Sequence, residues 1–365
     1  MKKVFLYAYD QINFGDDLFI RLITKRYSNV RFYIWTSKAN RKTFYKIDNL
    51  KIIANDTFLM KAFDKLHKGI LARIKSYYEN SANIVIYIGG SIFVEYGSWK
   101  DMLKWWEYEA KYHCFYVIGA NFGPYVHEDY RKGLDYIFRQ MKDICFRDCY
   151  SKEKFNNNPN VRYAPDILFG YPMPQVQQKK GQIFVSIINC AEKSERSDSL
   201  CIKEEIYLSK MSNLLDHYVT DGFSIILVSF CKAEGDEKAI SKIMDLMQSN
   251  KKRISILKYH GSNEEEILRV LSESEYIIAS RFHAVVLGIG AGKPVFPMIY
   301  SDKTLHLLED IGFMGNYFDI RNETLYDYIF SRENLDNNYT LNAESLIKNS
   351  EKHFLKLDEF LKCAI

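Results

Sequence analysis

Arg281, His283 and Lys303, within the stretch YIIASRFHAVVLGIGAGKPVFPMIYSDK (276–303), are the side chains best suited to handle an anion and a proton together. An apolar, strand-like run ends at Ser280, a short turn carries Arg281 and His283, and residues 284–291 read as a helix closed by Gly292 and Pro294. A helix N-terminus already favours an anion, and a guanidinium there adds a two-pronged clamp for phosphate or carboxylate. His283 exchanges protons near neutral pH and is the leading acid/base candidate. The same two residues also fit a purely structural pair, with the histidine capping the helix and the arginine in an ion pair. The next strand-like run ends at Asp302 and Lys303, so Lys303 can add a second positive charge. His306 and Glu309, one turn further on, read as a solvated helix face.

The first half carries loops of a different chemistry. NFGDD places Asn13, Gly15 and Asp16 after the first strand-like run, with Asp16 expected to cap a helix beginning at Asp17. One glycine there does not make a dinucleotide fingerprint, which needs three at fixed spacing. Gly89, Gly90 and Ser91 close the next such loop, and Asn121, Gly123 and Pro124 the one after; small residues there admit a ligand close to the backbone or simply make tight turns. Phe93, Tyr96, Trp99, Trp105, Trp106, Tyr108 and Tyr112 crowd the same region and are expected to be mostly core, with a minority available to stack on sugar faces. No zinc motif and no carboxylate cluster at cation spacing is visible, so no metal is expected.

The elements that position these residues follow from an alternation of short apolar runs with helix-length segments. Runs at 3–9, 84–90, 114–120, 144–148, 183–188, 223–230, 254–257, 276–280 and 294–299 define an α/β class with parallel sheets. GYPMPQVQQKKGQ (170–182) is the best linker, giving domains at 1–175 and 183–365 joined through 176–182. Each half then becomes a Rossmann-like, doubly wound domain, the two facing across a cleft. Ligands of such sheets bind outside the carboxyl ends of the strands, where the residues above fall.

Residues 57–78 read as one amphipathic helix with Lys61, Lys65, Lys68, Arg73 and Lys75 against a single Asp64. It fits a domain-packing helix with a solvated face, and alternatively an anionic membrane surface.

Composition narrows the class. Fifty Lys+Arg against 46 Asp+Glu give a net charge of only +4 over 365 residues, which gives no reason to expect a nucleic-acid partner. Aromatic content is high, with 27 Tyr and 24 Phe. Seven cysteines without a Cys-x-x-Cys pair read as reduced thiols of a cytoplasmic protein. The opening MKKVFLYAYD is too short in apolar residues for a signal peptide, and no run approaches the roughly 18 needed to span a membrane.

Taken in order, NFGDDLF (13–19), YIGGSIF (87–93), GANFGP (119–124), CFRDCYS (145–151), APD (164–166) and ASRFHAVVLGIGAGKPVFPMIYSDK (279–303) resemble the polysaccharide pyruvyl transferases. The resemblance implies a glycosyltransferase-B-like pair of Rossmann domains and transfer of pyruvate from phosphoenolpyruvate onto two hydroxyls of a sugar, galactose being one candidate, as a cyclic ketal. It implies donor binding and catalysis at Arg281 and His283, with Ser280 and Lys303 beside them. Family members commonly carry an arginine after the first strand of the second domain; here Asn189 stands there, with Lys193 and Arg196 as the nearest replacements. The acceptor would meet Asn13, Gly15, Asp16, Gly90, Ser91 and Asn121. Phosphoenolpyruvate is then a co-substrate with no further cofactor. The acceptor is a sugar or a lipid-linked oligosaccharide of surface-polysaccharide synthesis, which would give helix 57–78 a use at the inner face of the membrane. Competing readings are a nucleotide-sugar glycosyltransferase of the same fold and a non-catalytic carbohydrate-binding homologue.

Overall fold

The computed structural model describes residues 1–9, 11–191, 198–327, 330 and 339–362. The chain divides into two units. The first comprises 1–10, 16–167 and 348–365, and the second 11–15 and 168–347. This differs from a single cut near 176–182. The division falls at Ile167/Leu168, β8 already begins at Lys179, and the last helix returns to the first unit.

The first unit holds a seven-stranded sheet in the order β3-β2-β1-β4-β5-β6-β7. Its strands are β1 (Lys3–Tyr7), β2 (Arg31–Thr36), β3 (Leu50–Ala54), β4 (Ile84–Ile88), β5 (Phe115–Ala120), β6 (Asp143–Phe146) and β7 (Val161–Tyr163). The second unit holds a six-stranded sheet in the order β10-β9-β8-β11-β12-β13, made of β8 (Lys179–Ser186), β9 (Ser224–Ser229), β10 (Ile254–Lys258), β11 (Ser274–Ala279), β12 (Val295–Ile299) and β13 (Phe318–Asp319). Every strand pair is parallel. Strands such as Ile84–Ile88 and Val295–Ile299 are nearly all apolar because helices cover both faces of a parallel sheet. The strand order reverses between β1 and β4 in one sheet and between β8 and β11 in the other, and the carboxyl ends at such reversals are where doubly wound folds bind ligands.

The aromatic surplus is mainly core. Phe93, Trp106, Phe115, Phe138, Phe146 and Phe155 are buried together in the first unit, with Phe93 and Trp106 rings 4.8 Å apart and Phe138 and Phe155 4.9 Å apart. The exposed rings divide by position. Tyr108 and Tyr112 close the helix Trp99–Tyr112 that leads into the amino end of β5, whereas Tyr96 and Trp99 follow the carboxyl end of β4 without being buried as Phe93 is.

Two local expectations change. The helix after β1 spans Phe14–Arg26, so Asp16 lies inside its first turn rather than capping it. The basic helix at 57–78 is two helices, Phe58–Leu66 and Ile70–Ser81, broken at Gly69, whose φ of 83° a side-chain-bearing residue rarely adopts. No disulfide forms among the described cysteines, and no described helix is long and apolar enough to cross a membrane.

His353 holds the C-terminal segment in place. Its ring is fully buried; Nε2–H donates to the carbonyls of Ala164 and Pro165 at 3.1 and 3.0 Å, and Nδ1 accepts from the Gly119 N–H at 3.3 Å. Only the neutral imidazole satisfies all three, and burial lowers its pKa to about 3. The unfolded chain takes up a proton near pH 6.5 that the native state refuses, so stability is intact above that pH and declines below it, by at most about 1.4 kcal/mol per pH unit. Melting temperature should therefore fall as pH drops from 7 to 5, with a shallower fall in His353→Gln; equal slopes would show that His353 does not carry the effect.

Candidate active site

The site is built in the second unit from the residues that follow β8, β9 and β11, joined by residues 11–15. Phe14 anchors this short segment. Its N–H donates to Phe230 O at 3.0 Å, and its buried ring meets those of Phe230 and Tyr259 at 4.6 and 5.3 Å. Asn13, itself buried, folds its Oδ1 back to accept the Gly15 N–H at 3.2 Å.

β11 ends at Ala279, and the helix Phe282–Gly290 follows with Arg281 at its N-cap in extended conformation. This puts His283 in the first helical turn, half-buried, with its imidazole against the backbone of Gly15. A Cβ on residue 15 would lie 1.7 Å from His283 Nδ1, far inside contact distance. Glycine is needed there because the ring takes the space a side chain would fill. The sequence reading placed Gly15 among the acceptor contacts; the structure gives its backbone a close approach to a histidine.

Arg281 departs from the open clamp that the sequence suggests. It is only 5% exposed, and its guanidinium is bound by two carboxylates. Nε donates to Asp236 Oδ2 at 3.0 Å, Nη2 to Asp236 Oδ1, and Nη1 to Glu234. Burial works against its charge, but Asp236 and then Glu234 outweigh that and raise its pKa well above the usual value. Asp236, fully buried, also accepts the Phe230 and Cys231 N–H groups at 2.9 and 3.0 Å. Arg281 thus ties the loop after β9 to the start of the His283 helix through Asp236 and Glu234. Sequence reading missed Asp236 and Glu234, which lie in a polar stretch, CKAEGDE, without a recognisable motif.

The other donor-side residues fall around this tether. Ser280 is buried and its hydroxyl pairs with Tyr207 OH at 2.7 Å, which fixes the loop. Asn189, buried beyond the end of β8, reaches Gly235 O at 3.5 Å. Lys303 opens the next helix, Asp302–Asp310, with its ammonium 5.7 Å from the Phe282 ring centroid and 5.3 Å from that of Tyr300. Asp302 beside it pairs with Arg321. Lys193 and Arg196 lie outside the described residues.

The acceptor-side residues gather separately in the first unit, after β4, β5 and β6. Ser91 Oγ donates to Asn121 Oδ1 at 3.2 Å, and the same oxygen accepts from Arg147 Nη2 at 2.8 Å. Arg147 Nη1 bonds Asp166 at 3.1 Å, both residues being buried. A Cβ on Gly90 would meet Arg147 Nη2 at 2.7 Å, so the close approach that Gly90 permits is by this arginine. CFRD and APD supplied the signal for Arg147 and Asp166. Asp16 is half-buried on its own helix, in the first unit, whereas Asn13 and Gly15 belong to the second.

A model of the polysaccharide pyruvyl transferase family matches residues 13–302. The chain belongs to that family. Among solved structures, the UDP-GlcNAc 2-epimerase of Neisseria meningitidis bound to UDP-GlcNAc is 10% identical at a TM-score of 0.55, covering 98% of this chain and 100% of that one. The Methanocaldococcus jannaschii UDP-GlcNAc 2-epimerase with UDP-GlcNAc and UDP is 14% identical at 0.55, covering 95% and 98%. Anabaena HepE with UDP-glucose is 9% identical at 0.55, covering 99% and 98%. At such identities the likeness is of fold, two Rossmann-like domains, and extends to no ligand. No curated protein sequence matches the chain.

Gly15→Ala should displace the His283 ring and lower pyruvyl transfer on the order of a hundredfold, the usual worth of a positioned acid or base. In a His283→Ala background the same change should cost little more, since the two act through one contact. Independent, additive losses in the double variant would separate Gly15 from His283.

Proposed function

We propose that this transferase moves the pyruvyl group of phosphoenolpyruvate onto two hydroxyls of a sugar, forming a cyclic ketal and inorganic phosphate. Family membership supports the reaction class. The observation that carries the residue assignment is the imidazole of His283 held against Gly15 at a helix start beyond β11.

In the proposed reaction a proton adds to the terminal CH2 carbon of the enol phosphate, leaving the central carbon electrophilic. One sugar hydroxyl adds to that carbon, the bond from carbon to the phosphate oxygen breaks, and the neighbouring hydroxyl closes the ring. Of the two hydroxyl protons, one balances the proton now in the methyl group and the other leaves with phosphate. His283 is assigned as the acid toward the CH2 carbon or the base toward the hydroxyl. The helix N-terminus and Lys303 supply positive potential for the departing phosphate. Lys193 or Arg196 is the proposed further anion contact, while Arg281 acts by holding the loop. No metal or further cofactor is assigned to the chemistry.

On the acceptor side we assign the loops carrying Ser91 and Asn121, with Tyr96 and Trp99 nearby as stacking rings, and galactose as the first sugar to try. Incubation with phosphoenolpyruvate and a panel of galactosides should release phosphate in step with an acceptor mass gain. His283→Ala should lower that turnover about a hundredfold or more with an unchanged melt. Phosphate release without acceptor gain, or near-normal turnover of the variant, would remove this reading.

The acceptor is proposed to be lipid-linked, with the protein peripheral at the inner face of the membrane. In support, Lys61, Lys65, Lys68 and Arg73 are exposed in the same stretch of chain as Phe58, which is 84% exposed. Lys75 departs from that basic face, turning to Glu79 at 3.0 Å and the Tyr7 ring at 4.8 Å. At about 1 kcal/mol per surface cation, the chain should sediment with anionic vesicles at low salt. It should be released when the four exposed cations become glutamine; equal sedimentation of that variant would dismiss the patch.

A further inference from the structure

A second group of chemistry-bearing side chains lies in the first unit, apart from the residues assigned to catalysis. Glu109 and His113 stand one helical turn apart at the end of helix Trp99–Tyr112, and Glu79 faces them from the end of helix Ile70–Ser81. One ligand atom from each of the three lies within 4.8 Å of the others. Tyr7, at the end of β1, points its hydroxyl between the two carboxylates, donating to Glu79 and standing 3.1 Å from Glu109 Oε1. No local sequence spacing announces the group, because Glu79 and Tyr7 come from other elements.

The arrangement is short of positive charge. Glu79 and Glu109 are 4% and 2% exposed, and the cation paired with them is Lys75, 3.0 Å from Glu79 Oε1. Glu109 Oε2 is buried without a well-formed hydrogen bond, with His113 Nε2 3.6 Å away and the Trp105 indole beside the carboxyl. Burial and the neighbouring Glu79 charge push the Glu109 carboxyl up to about 7. Two buried carboxylates with one empty lone-pair direction are costly unless a cation completes them.

We infer that Glu79, Glu109 and His113 form a binding site for one divalent transition-metal ion of the zinc class, with Tyr7 or water as a fourth ligand. A mixed carboxylate and imidazole set suits such an ion better than calcium or magnesium, which take oxygen ligands. Ligand atoms about 2.0–2.2 Å from one ion lie within about 4.4 Å of each other, so small side-chain rotations close the group. Lys75, partly exposed on its flexible stem, turns outward as the ion takes its place beside Glu79. The ion then clamps the two helices to β1 and supplies the charge the pair of carboxylates lacks.

The test uses the full chain, stripped with a chelator and then dialysed against micromolar Zn2+. Elemental analysis should find one ion retained through this site and a raised melting temperature. Glu109→Gln and His113→Gln should each weaken retention at least about tenfold. His113→Gln, which replaces the ring at the helix C-cap by a neutral side chain of similar reach, keeps the test alive should the buried Glu109 variant fold poorly. No retained ion would overturn the proposal and leave a carboxyl pair sharing a proton through Tyr7. Retention unchanged in the variants would overturn it as well, assigning the zinc to cysteines elsewhere.

Discussion

A buried guanidinium cannot stay without its carboxylates, and in the second unit that constraint organises the candidate site. Asp236 takes two bonds from Arg281 and two more from the backbone N–H groups of Phe230 and Cys231, so one carboxylate closes the loop after β9 and fixes the start of the helix after β11. Removing either charged partner would strand the other in the interior, at a cost typically of about 3–5 kcal/mol. The same network sets where His283 begins its helix. Through Phe14 N–H on Phe230 O it also sets where Gly15 meets the ring. His283 is thereby held by a buried ion-pair network on one side and by the close backbone of Gly15 on the other.

The first unit repeats this logic with different residues. Arg147 and Asp166 are buried together behind the loops that follow β4 and β5, and Arg147 reaches forward to Asn121 and the backbone of Gly90. In both units an ion pair sits beneath the carboxyl ends of the strands and leaves smaller polar groups to line the edge. Rigid backing of this kind keeps functional side chains in one geometry while the loops above remain free to vary. The small net charge is consistent with it, since positive charges at both edges are balanced locally by buried acids.

Much of the architecture was readable in the sequence for a simple reason: strands buried on both faces are written as continuous apolar runs, and β4, β5, β11 and β12 stand out as such. β2 (RFYIWT) and β3 (LKIIA) escape that criterion because they lie toward the sheet edge, where exposed and half-exposed residues interrupt the run. His283 was legible from its place after a strand and before a glycine-closed helix. The ion-pair partners of Arg281 were not, since Glu234 and Asp236 are some 45 residues away in the chain and no motif marks them. Gly15 was visible as a small residue in the right loop, but its reason, a ring 268 positions later, is a fact of tertiary packing. The Glu79, Glu109 and His113 group was hidden in the same way. So was the return of the last helix to the first unit, where Arg26 binds Asp358 and lies 4.3 Å from the Phe354 ring.

The central claim, that His283 held on Gly15 is the proton-transfer group, is tested most directly by the pH dependence of kcat/KM for phosphate release from phosphoenolpyruvate in the presence of acceptor. The native enzyme should show a limb between about pH 5 and 8, and His283→Gln should lose that limb along with most of its rate. A variant that keeps the same limb at a uniformly lower rate would contradict the claim and move the acid/base role to another group.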